Sequence, residues 1–291
     1  MGPDRLQMQR LEYKYLIPES WAVRVREFVR SHLEADEYGV NQPDGSYSIH
    51  SLYMDSDDLK TYWDTVNSDC NRFKLRLRYY DDDEASPVFF EIKRRLNDAI
   101  LKQRGGVRRS AVMGLLAGHL PEPEFLLSAQ AKQFVALQRF SQIMLSIQAR
   151  PKAHVAYRRE AWVSTQDNSV RVTMDRAVRV APEYSARLST EMGDHVRPFG
   201  DRVILELKFT GRFPGWFQIM VERFGLVRGP AAKYAGGVEL IGPETFYRQR
   251  MLDGDTRGWK LGPAESGVDN PDAAVVHSGL LDKRNGLVVP G

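Results

Sequence analysis

Residues 73–104 read FKLRLRYYDDDEASPVFFEIKRRLNDAILKQR, and the placement of charge in this stretch decides the fold. Lys74, Arg76 and Arg78 alternate with Leu75 and Leu77. After an acidic turn, Glu91, Lys93 and Arg95 alternate with Phe90, Ile92 and Arg94. Side chains on a strand repeat with period 2, so each charged set shares one face. The pattern predicts a hairpin with five cations and one carboxylate on one face and a largely apolar opposite face.

Working outward, residues 9–16 (QRLEYKYL) alternate in the same way, with Arg10, Glu12 and Lys14 on one face. Ser48 to Asp55, His154 to Ser164, Ser169 to Val180 and Val203 to Thr210 also read as strands, the middle two around a QDN turn. Arg171, Thr173 and Asp175 share a face, as do Glu206 and Lys208. Helical spacing of apolar residues predicts helices over Pro18 to Glu34, Asp57 to Thr65, Ser110 to Ala117 and Glu124 to Ile147, the last stopped by Pro151. Residues 182–201 read as irregular, and a further helix follows Gly211. Lys233-Tyr-Ala-Gly-Gly follows a Gly-Pro break. No repeat and no linker divides the chain.

Composition narrows the classes. At 291 residues and 42% hydrophobic, the chain is long enough for a substantial core. A net charge of +3 and a pI near 8.9 are too weakly basic for a general nucleic-acid binder. One cysteine, Cys70, excludes an intrachain disulfide framework and any CxxC metal site. No run reaches the ~18 apolar residues of a membrane span, and no signal peptide is evident, so a soluble, cytoplasmic protein is expected. Walker A, HExxH, GxSxG and GxGxxG motifs are absent. His154 is expected to be structural or exposed.

The charged faces admit two readings. One is an antiparallel sheet with a solvated face. The other is an inverted barrel, charges inside and helices outside, which requires a polyanion or wet cavity because burying unpaired cations is costly. Arg and Lys on such a wall suit phosphate oxygens, and carboxylates among them suit Mg²⁺ or Mn²⁺ shared with phosphate. The pattern leaves both readings open.

RLEYKYLI (10–17), SLYMDSDDLKTY (51–62), KLRLRYY (74–80), FFEIKRR (89–95), LKQR (101–104), YRREAW (157–162), RVTMDR (171–176), ILELKF (204–209) and KYAGG (233–237) fall in the order of a VTC domain. The chain therefore resembles, over about residues 5–250, the catalytic part of the vacuolar transporter chaperone polyphosphate polymerase, in the superfamily of CYTH-like triphosphate tunnel metalloenzymes. That resemblance implies an α+β fold: an antiparallel β tunnel or barrel with a charged interior, covered by amphipathic helices. Residues 251–291 are expected to form a tail of low order.

The resemblance further implies transfer of the ATP γ-phosphate onto phosphate or polyphosphate, releasing ADP. It places Lys14, Arg76, Arg78 and Lys93 at the reacting phosphates. Arg10, Lys74, Lys102, Tyr157, Arg159, Arg171, Lys208 and Lys233 would bind phosphate, and Glu206 with Glu12 would hold Mn²⁺ or Mg²⁺. ATP and polyphosphate or inorganic phosphate are the expected partners, with no nucleic acid. Tyr157 could equally be a core aromatic, Glu12 and Glu91 could be salt-bridge partners, and Asp175 could orient Arg171. Hydrolytic relatives begin with ExExK, whereas here Arg10 takes the first acidic position. That departure argues against the alternative of a tunnel triphosphatase; a non-catalytic polyphosphate sensor is the other alternative. The wall-facing set reads as poor in aromatics, against an RNA-binding barrel.

Overall fold

Alternation of charged and apolar residues produces a single nine-stranded antiparallel sheet in the computed structural model, which describes residues 10–97, 99–120, 122–164 and 169–252. The strands are β1 (Arg10–Ile17), β2 (Glu34–Ala35), β3 (Ser46–Asp55), β4 (Asn71–Tyr79), β5 (Val88–Leu96), β6 (Ala99–Val107), β7 (Arg150–Val163), β8 (Val170–Pro182) and β9 (Val203–Thr210). They neighbour one another in the order β2-β7-β3-β4-β5-β6-β1-β9-β8, and β8 pairs again with β7. The pairing therefore runs back on itself. Among the described residues, β1 meets β6 at Arg10 and Ile100. The expected α+β fold, antiparallel strands under a coat of helices, is present, and among the described residues no continuous ladder closes the sheet between β6 and β1. The β5–β6 turn pivots on Asn97 at φ 53°, a left-handed conformation that Asn tolerates.

Helices coat the apolar outer face. α1 (Glu19–Arg30) starts after Pro18 with an acid in its first turn and ends on a base, matching the helix dipole. With α6 (Gly215–Arg223) it packs Val25, Val29, Phe217 and Met220 on Tyr15, Leu205, Leu207 and Phe209. α4 (Val112–Leu116) and α5 (Ala131–Ser146) cover Leu75, Leu77, Phe90 and Ile92 with Leu115, Leu137 and Phe140. The remaining helices are α2 (Glu37–Val40), α3 (Lys60–Val66), α7 (Lys233–Ile241) and α8 (Pro243–Leu252). No helix among the described residues is long and apolar enough to cross a membrane.

Several expectations change. The helix expected from Glu124 begins at Ala131, because Pro123–Phe125 forms a separate 3-10 turn. It ends at Ser146, and Pro151 lies inside β7 instead of stopping it. KYAGG opens helix α7, which the sequence reading did not identify. The QDN turn and the tail from 253 onward lie outside the described residues.

α7 explains how the inner face changes character along the strands. Inner positions of β7, β8 and β9 are charged at one end (Arg159, Asp175, Glu206) and apolar at the other (Val155, Val178, Val180, Ile204). The apolar end packs Tyr234, Ala235 and Val238 of α7. Gly237 permits this approach: a Cβ there would fall on the Val180 side chain, 2.5 Å from its Cβ.

Candidate functional site

The charged end of the inner face is organised by buried carboxylates. Glu206 on β9 is 4% exposed, and four cations surround it: Lys208 at 2.6 Å, Lys14 at 3.3 Å, Lys233 at 3.4 Å and Arg159 at 3.6 Å. Thr173 Oγ1 donates to it at 3.3 Å. Glu91 on β5 is fully buried and meets Arg76 and Lys102 at 2.7 Å, Arg104 at 3.6 Å and Arg78 at 3.8 Å. Glu12 joins Lys14 and Lys93, each at 3.2 Å. The last contact reaches from β5 to β1 across β6. Asp175 takes both Arg159 nitrogens at 2.7 Å and Lys233 at 2.6 Å. Its expected partner, Arg171, instead binds Asp36 at 2.5 Å. The β7–β8 register aligns Arg159 with Asp175, which sequence could not reveal.

Two tyrosines link nearby strands of the wall. Tyr157 on β7 accepts from Arg78 Nη2 at 3.1 Å, and Lys233 lies 4.7 Å from its ring centre. It is therefore a wall residue at the charged end, close to three cations when Arg159 is included. Tyr53 on β3 accepts from Arg76 Nη1 at 3.0 Å and stacks on Tyr234 at 4.9 Å.

Electrostatics follow from this packing. Burial pushes each carboxylate up, but the surrounding cations prevail. Arg78, Arg76 and Lys102 hold Glu91 well below the usual range, and Lys208, Lys233, Lys14 and Arg159 do the same for Glu206. Lys14 is raised against burial by Glu206 and Glu12. Burial pushes Lys208 down to about 8 despite Glu206. Burial also pushes Lys102 down to about 7, opposed by Glu91 and assisted by Arg78 and Arg76. Lys74 falls to about 8 through burial, with Lys14, Lys93 and Arg72 adding to it and Tyr53 opposing. Burial raises Tyr53, yet Arg76 and Lys74 bring it down to about 7.

The structure thus brings together Lys14, Lys74, Arg76, Arg78, Lys93, Lys102, Tyr157, Arg159, Lys208, Lys233, Glu12 and Glu206. Arg171 stands beside Lys208 in register but is engaged by Asp36. The Arg10 side chain lies outside the described residues. Sequence reasoning missed Tyr53, whose parity with the uncharged Tyr47, Ile49 and Ser51 gives no cationic signal, and Arg104, which shares parity with Lys102. It also understated the aromatics, since Tyr47, Tyr53, Phe89 and Tyr157 all occupy inner positions by strand parity.

The donor set can be tested against a divalent cation. Glu12 Oε1 and Glu206 Oε1 converge on one ammonium, that of Lys14. Two such oxygens fit Mg²⁺ or Mn²⁺ when phosphate supplies further ligands. No cluster of three or more His, Cys, Asp or Glu among the described residues forms an all-protein cage. His50 and His154 contact each other at 3.0 Å on the opposite face of β3 and β7, next to Tyr79, so His154 is structural.

Comparison with known proteins places this geometry in a family. No curated protein matches the chain. Among solved structures, a candidate adenylate cyclase from Bacillus halodurans is similar at 14% identity and a TM-score of 0.44, covering 77% of this chain and 94% of that one. A protein from Pyrococcus horikoshii OT3 is similar at 10% identity and a TM-score of 0.39, covering 80% and 98%. Both likenesses are too distant to carry an argument. The VTC domain profile matches residues 9–241, well over half of the chain, and the chain belongs to the VTC domain family.

Proposed function

We propose that this domain is a polyphosphate polymerase that transfers the γ-phosphoryl group of ATP onto phosphate or polyphosphate and releases ADP. The observation that carries the reading is the unspent cationic capacity of the inner wall. Among the described residues, the half-buried Lys74 has no carboxylate partner, and the buried Arg78 Nε has no hydrogen-bond acceptor, its nearest carboxylate oxygen, on Glu91, lying 3.8 Å away. A half-buried cation and a buried donor left in this state favour an anion with several oxygens.

Phosphoryl transfer needs alignment and charge neutralisation more than covalent help. Lys14, Arg76, Arg78 and Lys93 would hold the donor and acceptor phosphates close together against their mutual repulsion. Lys74, Lys102, Arg159, Lys208 and Lys233 would extend the track, with Tyr157 as a hydroxyl donor and Arg10 and Arg171 at its margin. A phosphate acceptor is already largely ionised near neutral pH, so the wall needs no general base. A bound Mg²⁺ or Mn²⁺ would supply Lewis-acid charge at the donor phosphates, with Glu206 and Glu12 as its protein ligands.

A second reading, a polyphosphate-binding module without turnover, is favoured by the four cations that already occupy Glu206. Incubation of the pure protein with ATP and Mn²⁺ separates the two. ADP together with polymer supports the polymerase. Binding of polyphosphate without ADP release supports the module, and ADP with free phosphate alone supports a triphosphatase.

A further inference from the structure

Aromatic side chains border the cationic wall, and the phosphate chemistry does not use them. Tyr47 and Phe89 hold inner positions where β3 and β5 begin. Tyr80 follows the last residue of β4 and continues the parity of Arg76 and Arg78. Tyr38 comes from α2 and leaves 61% of its surface in water. Its ring is parallel to that of Tyr80 within 3°, centroids 6.5 Å apart, and lies 5.7 Å from Tyr47.

Arg104 makes this surface continuous with the wall. Its guanidinium sits 3.4 Å from the centre of Phe89, its Nη2 lies 3.5 Å from the Tyr80 hydroxyl, and its Nε is 3.6 Å from Glu91. α2 is tied to the same wall, since Asp36 caps it by accepting from the Tyr38 amide at 2.9 Å while holding Arg171. A single exposed aromatic needs no explanation. An exposed Tyr38 backed by the half-buried Tyr47, Tyr80 and Phe89, all abutting a polyanion site, fits a ligand that is anionic at one end and flat at the other.

We propose that Tyr38 and Tyr80 form the stacking platform for the base of a nucleoside triphosphate whose phosphates lie along Arg76, Arg78 and the neighbouring cations. The inference rests on the reading that the donor is a nucleoside triphosphate. Stacking reads a π-face and not a pattern of donors and acceptors, so it tolerates different bases. Adenine and guanine are then held alike, and pyrimidines, with less ring area, less well.

The test is calorimetric binding of ATP, GTP, UTP and tripolyphosphate to the full chain with metal chelated, for wild type, Tyr38→Ala and Tyr38→Phe. Tyr38 is exposed, so its truncation leaves the core intact. Tyr38→Ala is expected to weaken ATP and GTP by at least about fivefold, with tripolyphosphate within about twofold. Tyr38→Phe should restore ATP binding, and UTP should bind wild type more weakly than ATP. Unchanged ATP affinity in Tyr38→Ala, or equal losses for ATP and tripolyphosphate, overturns the platform and leaves the phosphate wall standing. If wild type binds neither ATP nor tripolyphosphate, the proposed function itself fails and the platform with it.

Discussion

Lys14 and Glu206 are register partners across β1 and β9, and their ammonium and carboxylate meet at 3.3 Å. The pair lies where the metal-site carboxylates and the phosphate-binding cations of the proposed mechanism coincide. Glu206 neutralises a knot of cations in the free protein, and in the proposed mechanism it would also offer an oxygen to a divalent ion. Glu206→Gln separates the two roles. Removing one charge from a buried pair costs about 3–5 kcal/mol, so the variant should melt at a lower temperature. Tripolyphosphate without metal should bind as well as before or better, because the wall has lost negative charge. Metal-dependent ADP release should disappear. Turnover at the wild-type rate would move the metal assignment to Glu12 or Glu91.

The lysines give a pH signature. Lys74 and Lys208 titrate near 8 and Lys102 near 7, whereas an unfolded lysine titrates at about 10.4. Between those values the unfolded chain binds more protons than the fold, so the contribution of these groups to stability rises with pH. Anion binding has the opposite sign, since it needs the protonated form. Tripolyphosphate affinity should fall between about pH 6.5 and about pH 9. Lys74→Arg, which stays charged throughout that range, should flatten the decline. A pH-independent affinity in wild-type protein would contradict these assignments.

Gly237→Ala probes α7. The added methyl meets the branched Val180 side chain, which is buried on β8. Overpacking of this kind costs about 1–3 kcal/mol. The same helix carries Lys233, so the variant should both melt earlier, by differential scanning calorimetry, and bind tripolyphosphate more weakly. Gly236→Ala, whose Cβ would find ordinary contacts at 3.5 Å and beyond, should do neither.

Much of the wall was legible because charge alternation survives in β1 (Arg10, Glu12, Lys14), β4 (Lys74, Arg76, Arg78), β5 (Glu91, Lys93, Arg95) and β9 (Glu206, Lys208). β3 was not legible as wall: its inner Tyr47, Ile49, Ser51 and Tyr53 carry no charge, and Tyr53 shows its role only once Arg76 is beside it. The ion pairs of Asp175 were hidden because register across β7 and β8 is a tertiary fact. α7 was hidden for a different reason. Gly-Gly argues against a helix by about 1 kcal/mol per residue, and only contact with Val180 shows why Gly237 is needed there. The aligned motifs gave the family, but not the order in which the strands neighbour one another.

The central claim is that the inner face of this sheet is a polyanion site built from several cations acting together. Calorimetry of orthophosphate and tripolyphosphate, with metal chelated, on wild type and Arg76→Ala tests it most directly. Each charge-assisted hydrogen bond contributes roughly 1.5–3 kcal/mol. Tripolyphosphate should therefore bind wild type far more tightly than orthophosphate, and Arg76→Ala should lose about tenfold to a hundredfold. Equal affinity for the two anions, or an Arg76→Ala protein that binds tripolyphosphate as wild type does, would contradict it.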